Sequence, residues 1–157
     1  MKEQFSCALT GHRDLPAQFD RRRLFDELES IIRSGFTYFY CGMAEGFDLT
    51  ALQLLIELKD RYPLFIEACV PFKGQARKFS EQNRLLYDDL ILQCDKVTTL
   101  SNKYQKGCFL VRDRYMADRA DLVFAYCTKK TGGTAYTVRY ALSLGLKVIF
   151  SGAGTTF

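Results

Sequence analysis

The chain has 157 residues, 48% of them hydrophobic and 25% charged, with a net charge of +4 at neutral pH. That length suits one domain over 1–157, which can bury roughly two-thirds of its unfolded surface and so needs no disulfide or metal to fold. No apolar stretch is long enough to span a bilayer, the first residues lack the apolar core of a signal peptide, and the charge is mild for a nucleic-acid surface; a cytoplasmic location without membrane contact is expected.

Apolar runs alternate with helical patterns along the whole chain. Phe5–Leu9 reads as a strand. Asp20–Ser34 reads as a helix with Leu24, Leu28, Ile31 and Ile32 on one face and Gly35 as its stop. Within it, Arg21-Arg22-Arg23 is the only dense basic run, diluted by Asp20, Asp26, Glu27 and Glu29, and it reads as a solvated helix face. Phe36–Cys41 is a second strand. Leu49–Arg61 is a helix that is apolar nearly all round through Leu52, Leu54, Leu55, Ile56 and Leu58, which predicts deep burial.

Leu64–Val70 is a third strand, closed by Pro71. Ala76–Cys94 is helical, with a break expected near Ser80 and an apolar set of Leu85, Leu86, Leu90 and Ile91. Lys96–Leu100 is a fourth strand, Phe109–Arg119 a short helix and Leu122–Tyr126 a fifth strand. Thr134–Leu144 is a helix ended by Gly145, and Leu146–Phe150 a sixth strand. The Gly/Thr-rich tail Ser151–Phe157 reads as mobile. Repeated β-α units imply an α/β fold, a mostly parallel sheet of about six strands with helices on both faces. Cys7, Cys41, Cys69, Cys94, Cys108 and Cys127 form no C-x-x-C pair and His12 is the only histidine, so reduced structural cysteines are expected and no metal site.

Three glycine-bearing turns follow strands: Thr10-Gly11-His12-Arg13, the segment from Gly42 through Glu45 and Gly46 to Asp48, and Thr131-Gly132-Gly133-Thr134. Glycine lets the backbone approach a ligand closely, and free amides at a helix start suit phosphate. Ligands of open parallel sheets bind at the carboxyl ends of the strands, where all three turns and Pro71-Phe72 fall. Gly132, Gly133 and Thr134 form the best phosphate cradle, with Thr134 as an alternative plain N-cap. Arg13 can fork onto a phosphate or carboxylate, or be an exposed turn residue. His12 suits hydrogen bonding or stacking better than catalysis. Asp48 can accept a ribose hydroxyl or cap its helix. Glu45 is a loop carboxylate. Arg112 and Arg114 face different ways, so one of the two is expected in the crevice. Tyr87 and Tyr104 can stack on a base or pack in the core. Neither a G-x-G-x-x-G nor a G-x-x-x-x-G-K-[ST] motif is present.

The order T-G-H-R (10–13), G-M-A-E-G-F-D (42–48), P-F (71–72), R-D-R-Y-M-A-D-R-A-D (112–121) and G-G-T-A-Y-T-V-R-Y-A (132–141) resembles the YpsA-like branch of the SLOG superfamily, over nearly the whole chain. The resemblance implies a Rossmann-like three-layer α/β/α fold related to the LOG and DprA proteins. It also implies a pocket for a nucleotide or an ADP-ribose- or NAD-like derivative, lined by Gly11, Arg13, Gly42, Gly46, Asp48, Gly132, Gly133 and Thr134. No cofactor is required by it. Roles in sensing or cell division come with the resemblance as expectations, as does a homodimer, for which Leu49–Arg61 is the candidate helix. LOG phosphoribohydrolases carry P-G-G-x-G-T-x-x-E; here Ala135, Tyr136, Thr137 and Val138 follow Thr134, so the second glycine spacing and the glutamate are missing. A ligand-binding module is therefore the leading expectation and no catalytic residue is assigned. The alternatives are a nucleotide N-glycosidase using Asp48 or Glu45, and a single-strand DNA binder using Arg21–Arg23 and surface tyrosines.

Overall fold

A computed structural model describes residues 4–152. The strands are β1 (Phe5–Gly11), β2 (Phe36–Cys41), β3 (Phe65–Val70), β4 (Lys96–Thr99), β5 (Leu122–Tyr126) and β6 (Lys147–Phe150). The helices are α1 (Arg21–Arg33), α2 (Phe47–Leu58), α3 (Glu81–Leu92), α4 (Cys108–Arg119) and α5 (Gly133–Ser143), with a short 3-10 turn at Gln75–Lys78. The six strands form one sheet in the order β4-β3-β2-β1-β5-β6, every pair parallel. This is the Rossmann-like α/β fold expected from the β-α alternation.

Local chemistry explains the helix ends. Asp20 accepts from the Arg23 amide and starts α1, while Gly35 at φ +107 ends it and Gly145 at φ +78 ends α5. The expected break at Ser80 is present: Ser80 caps α3 by accepting from the Asn83 amide. Both β1 and α2 begin or end differently from the sequence reading. β1 runs on through Thr10 and Gly11 because its pairing with β5 continues to Gly11 opposite Tyr126. α2 starts at Phe47 because the His12 carbonyl accepts from its amide at 3.1 Å.

Moving from β1 out to β4, the right-handed sense of parallel crossovers keeps α1, α2 and α3 on one face. The chain then returns past β1 to β5, which places α4 and α5 on the other face. Leu24, Leu28, Leu52, Leu55 and Phe47 fill the core on the first face, and Met116, Val138 and Ala141 belong to the second. α2 lies between α1 and α3 and its apolar residues are consumed within the fold, so it does not offer the dimer face expected of it. Leu85 departs from its expected place too: α3 packs beside α2 with Tyr87 and Leu90 buried, and Leu85 is exposed. Arg22 and Arg23 pair with Asp26 and Glu27 one turn on, an ordinary solvated helix face.

Five of the six cysteines are buried and Cys94 is half-buried; burial pushes the Cys94 thiol up to about 11. Among the described residues no helix is long and apolar enough to cross a membrane. Of the tail read as mobile, 153–157 lie outside the described residues, whereas Ser151 is buried and donates to Glu27 at 2.7 Å.

Candidate functional site

The strand order reverses between β1 and β5, and a cavity of about 440 Å³ opens there at the carboxyl ends of both strands. Its walls come from the segments after β1 and β5, the loop before α2, and the starts of α4 and α5. Gly132 is the N-cap of α5, at φ +98, and no side chain caps the helix. Thr134 is therefore the second helical residue, not the cap. A Cβ at Gly132 or Gly133 would meet nothing within 4 Å, so both face open space. The first-turn amides beside that space have no side-chain acceptor and are the kind of donors that suit an anion, a candidate cradle.

Opposite the cradle, Asp48 lies in the first turn of α2, 5% exposed. One carboxylate oxygen accepts from the Ala44 amide at 3.2 Å, pinning the loop; the other, Oδ1, is buried with no hydrogen-bond partner among the described residues. Burial dominates its titration and pushes the carboxyl up to about 7, against the opposing pull of the Arg112 charge and the Ala44 amide. A buried acceptor with an open lone pair is costly unless something donates to it.

Of Arg112 and Arg114, Arg112 reaches the cavity; Arg114 turns aside to donate to the Tyr136 hydroxyl at 3.2 Å. Arg112 is buried, donates to Asp113 at 2.7 Å and also donates to the Gly42 carbonyl. Burial works against its charge, but the Asp113 and Asp48 carboxylates more than offset this and raise its pKa. Asp113 in turn accepts from Thr137 of α5 at 3.0 Å. One chain of polar contacts thus joins the Gly42 loop, α4 and α5.

The glycines divide into two kinds. Gly11 lines the cavity, and a Cβ there would stand 2.3 Å from the Phe47 ring. Gly42 and Gly46 do not line it. A Cβ at Gly42 would lie 2.6 Å from the Arg112 guanidinium, and one at Gly46, where φ is +79, would lie 2.2 Å from the Arg13 carbonyl. Both are glycine because other parts of the protein pass close by. Between them Met43, fully buried, adopts a left-handed φ of +63, a strained backbone held by packing.

His12 lines the cavity, but its Nε2 accepts from the Thr128 amide at 2.9 Å and its ring meets Tyr126 edge-on. Burial, then the charge of Lys129, lower its pKa, so the neutral ring straps the β1 turn to the β5 turn. Arg13 is exposed, with its guanidinium 4.6 Å above the Phe109 ring. Glu45 lies outside the cavity in an adjoining cleft and accepts from Asn83 at 2.6 Å. Thr10 is buried at the end of β1 in the cavity wall. Tyr87 belongs to the core, edge-on to Phe79.

Among the wall residues that escaped the sequence reading are Lys129, Asp113 and Phe109. Lys129 stands two residues before the Thr131 turn and carried a weak signal as a cation beside the cradle. Asp113 and Phe109 carried none, because their importance comes from contacts across the fold.

Comparison with known proteins agrees with this architecture. The model of the YspA SLOG family matches residues 10–147. A UPF0398 protein of Bacillus pumilus (strain SAFR-032) is 26% identical over 133 residues, which are 82% of this chain and 72% of that one. Another from Bacillus cereus (strain G9842) is 25% identical over 129 residues, 80% and 70% respectively. DNA processing protein A of Streptococcus pneumoniae superposes with a TM-score of 0.72 at 20% identity, covering 96% of this chain; the chain spans about half, 51%, of that protein. DNA processing protein A of Helicobacter pylori, solved for its single-stranded DNA binding mode, gives a TM-score of 0.68 at 16% identity over 94% of this chain and 65% of its own.

Proposed function

The chain belongs to the YspA SLOG family, and we propose that its switch-point cavity binds a phosphate-bearing nucleotide derivative of the ADP-ribose or dinucleotide kind. The observation that carries this reading is that an uncapped helix start at Gly132–Thr134 and Asp48, whose buried Oδ1 has no partner among the described residues, are walls of one cavity. A phosphate accepts hydrogen bonds from the α5 amides, and a ribose hydroxyl donates to Asp48. Lys129 and Arg13 supply the countercharge. Arg112 is already occupied by Asp113 and Gly42, and serves to hold the walls and the Asp48 charge in place.

Gly133→Asp tests it. A Cβ there meets no atom within 4 Å, and a carboxylate in the first turn of a helix favours the fold. The variant should melt at or above the wild-type temperature while its affinity for AMP or ADP-ribose, read by titration calorimetry, falls at least about tenfold through charge repulsion. Unchanged affinity would place the phosphate elsewhere.

One observation favours a second reading. A cavity carboxyl pushed up to about 7 holds a proton near neutral pH, as a general acid must. Asp48 would then assist cleavage of an N-glycosidic bond in the bound nucleotide. Chromatography of each bound ligand after long incubation separates the readings: free base supports the hydrolase, intact ligand the binding module. A nucleic-acid ligand draws on likeness of fold to a DNA-binding protein, and a single-stranded oligonucleotide in the same titration addresses it.

A further inference from the structure

A second cleft, of about 720 Å³, adjoins the first. Arg13, Ala44 and Phe109 stand in the walls of both, so the two form one trough running from the switch point toward the β4 edge of the sheet. Its far walls are the segments that follow β3 and β4, held together where the Lys73 amide donates to the Ser101 carbonyl at 2.9 Å. Each cleft alone falls in the range of about 300–1,000 Å³ typical of small-ligand sites.

Two features give the second cleft a chemistry. The first is charge. Arg13, Lys73, Arg77, Lys78 and Lys103 line it against a single carboxylate, Glu45, which Asn83 already engages. None of the five has a carboxylate within 4.0 Å among the described residues. Five cations less one carboxylate leave +4, equal to the net charge of the whole chain, so the excess positive charge is gathered here. Uncompensated cations along a concave wall attract a polyanion. The second feature is aromatic. Phe72, Tyr104 and Phe109 meet one another at 5.5–6.3 Å between ring centres. Tyr104 nevertheless remains 60% exposed, an aromatic surface turned to the cleft with nothing covering it. Rings beside cations are the means by which proteins hold a nucleobase with its phosphate.

Resting on the reading of the first cavity, we infer that the second cleft takes the other half of the ligand. The ligand is a dinucleotide: one phosphate of its pyrophosphate on the α5 cradle, the other at Arg13 where the clefts meet, and the second base stacked at Phe72 and Tyr104. Arg13 suits the junction because its guanidinium is exposed, free of carboxylates and fixed above Phe109.

The test compares AMP with P1,P2-diadenosine pyrophosphate on the wild type, Gly133→Asp and the double variant Tyr104→Ala/Lys73→Ala, by calorimetry at fixed salt. Both residues of the double variant are exposed, so it should fold, and its melting curve checks this. The wild type should bind the dinucleotide at least about tenfold tighter than AMP, the scale of one base-aromatic stack. The double variant should lose that advantage while its AMP affinity stays within about twofold of wild type. Equal affinity for the two probes, or loss of both in the double variant, overturns the inference. The reading of the first cavity fails separately, if AMP affinity survives Gly133→Asp. Oligoadenylates of two to eight units form the last arm: affinity that levels off at two supports a dinucleotide site, and affinity that keeps rising with length overturns it in favour of a nucleic-acid groove.

Discussion

Asp48 sets the pH behaviour of the site. A carboxyl moved from 3.8 to about 7 by burial binds a proton in the folded state that the unfolded chain has already lost. Its cost to stability therefore grows as pH rises through the window from 3.8 to about 7 and is complete above it, with an upper bound of about 4 kcal/mol. Asp48→Asn removes the charge and keeps an oxygen to accept from Ala44. The variant should be more stable than wild type at pH 8, by an increment that shrinks steadily toward pH 4, in paired chemical-denaturation curves. If the proposed ribose contact is correct, the same change weakens nucleotide binding, because the amide carries one acceptor where the carboxylate carries two. A variant no more stable at pH 8 than at pH 4 would show that Asp48 is not held in the buried state described. Other side chains around the site are already committed within the fold: His12 Nε2 to Thr128, and Arg112 to Asp113 and Gly42.

Between elements, Glu67 of β3 is a polar tie away from the site that joins four of them. Its carboxylate is buried and accepts from Tyr38 of β2 at 2.6 Å, Tyr115 of α4 at 2.7 Å and Thr98 of β4 at 2.8 Å. Burial pushes its pKa up, but the three hydroxyl donors outweigh burial and the net shift is downward. A lowered folded value means stability that is present above the ordinary carboxylate value of 4.5 and lost as pH falls through the lower folded one. Glu67→Gln turns an amide N–H toward hydroxyls that donate and should cost about 1–3 kcal/mol near pH 7. The deficit relative to wild type should narrow as pH falls from 4.5 toward the lower folded value, where the native carboxylate also protonates. Urea titrations of the two proteins at pH 7 and pH 3.5 check this, and a deficit independent of pH would assign the loss to packing. The sequence gives little sign of this cluster, since its members come from four elements and an isolated glutamate in a strand resembles a solvent-facing one.

At the scale of the whole molecule, the strand order brings the turns after β1 and β5 together although more than a hundred residues separate them in sequence. Binding at their junction should then protect both at once. Saturation with AMP at about 100 times its dissociation constant stabilises the fold by about 2.7 kcal/mol. In hydrogen exchange it should slow the amides of 10–13, 44–48 and 129–134 together beyond that global effect, with the exposed face of α1 as the unaffected reference. Protection confined to one of the three segments would mean that the ligand sits outside the switch-point cavity. The gathering of positive charge beside that cavity is also a property of the whole, because each of its cations is an ordinary surface residue within its own segment.

The order of elements, the helix stops at Gly35 and Gly145, the break at Ser80 and the α/β class were determined by the sequence alone. Each depends on residues a few positions apart, where backbone conformation and periodic burial are decided locally. The family was equally legible, because its motifs run in order along the chain. The tertiary structure alone decided which glycines face open space and which admit a neighbour. Gly133 and Gly42 look alike in sequence, yet one borders the cavity and the other gives way to an arginine seventy residues on. It likewise decided that Asp48 keeps an oxygen with no partner among the described residues, that α2 is spent inside the molecule, and that Lys129 and Phe109 are walls of the cavity. A side chain's partners across the sheet are fixed by packing, and packing is settled only when the distant strands have met.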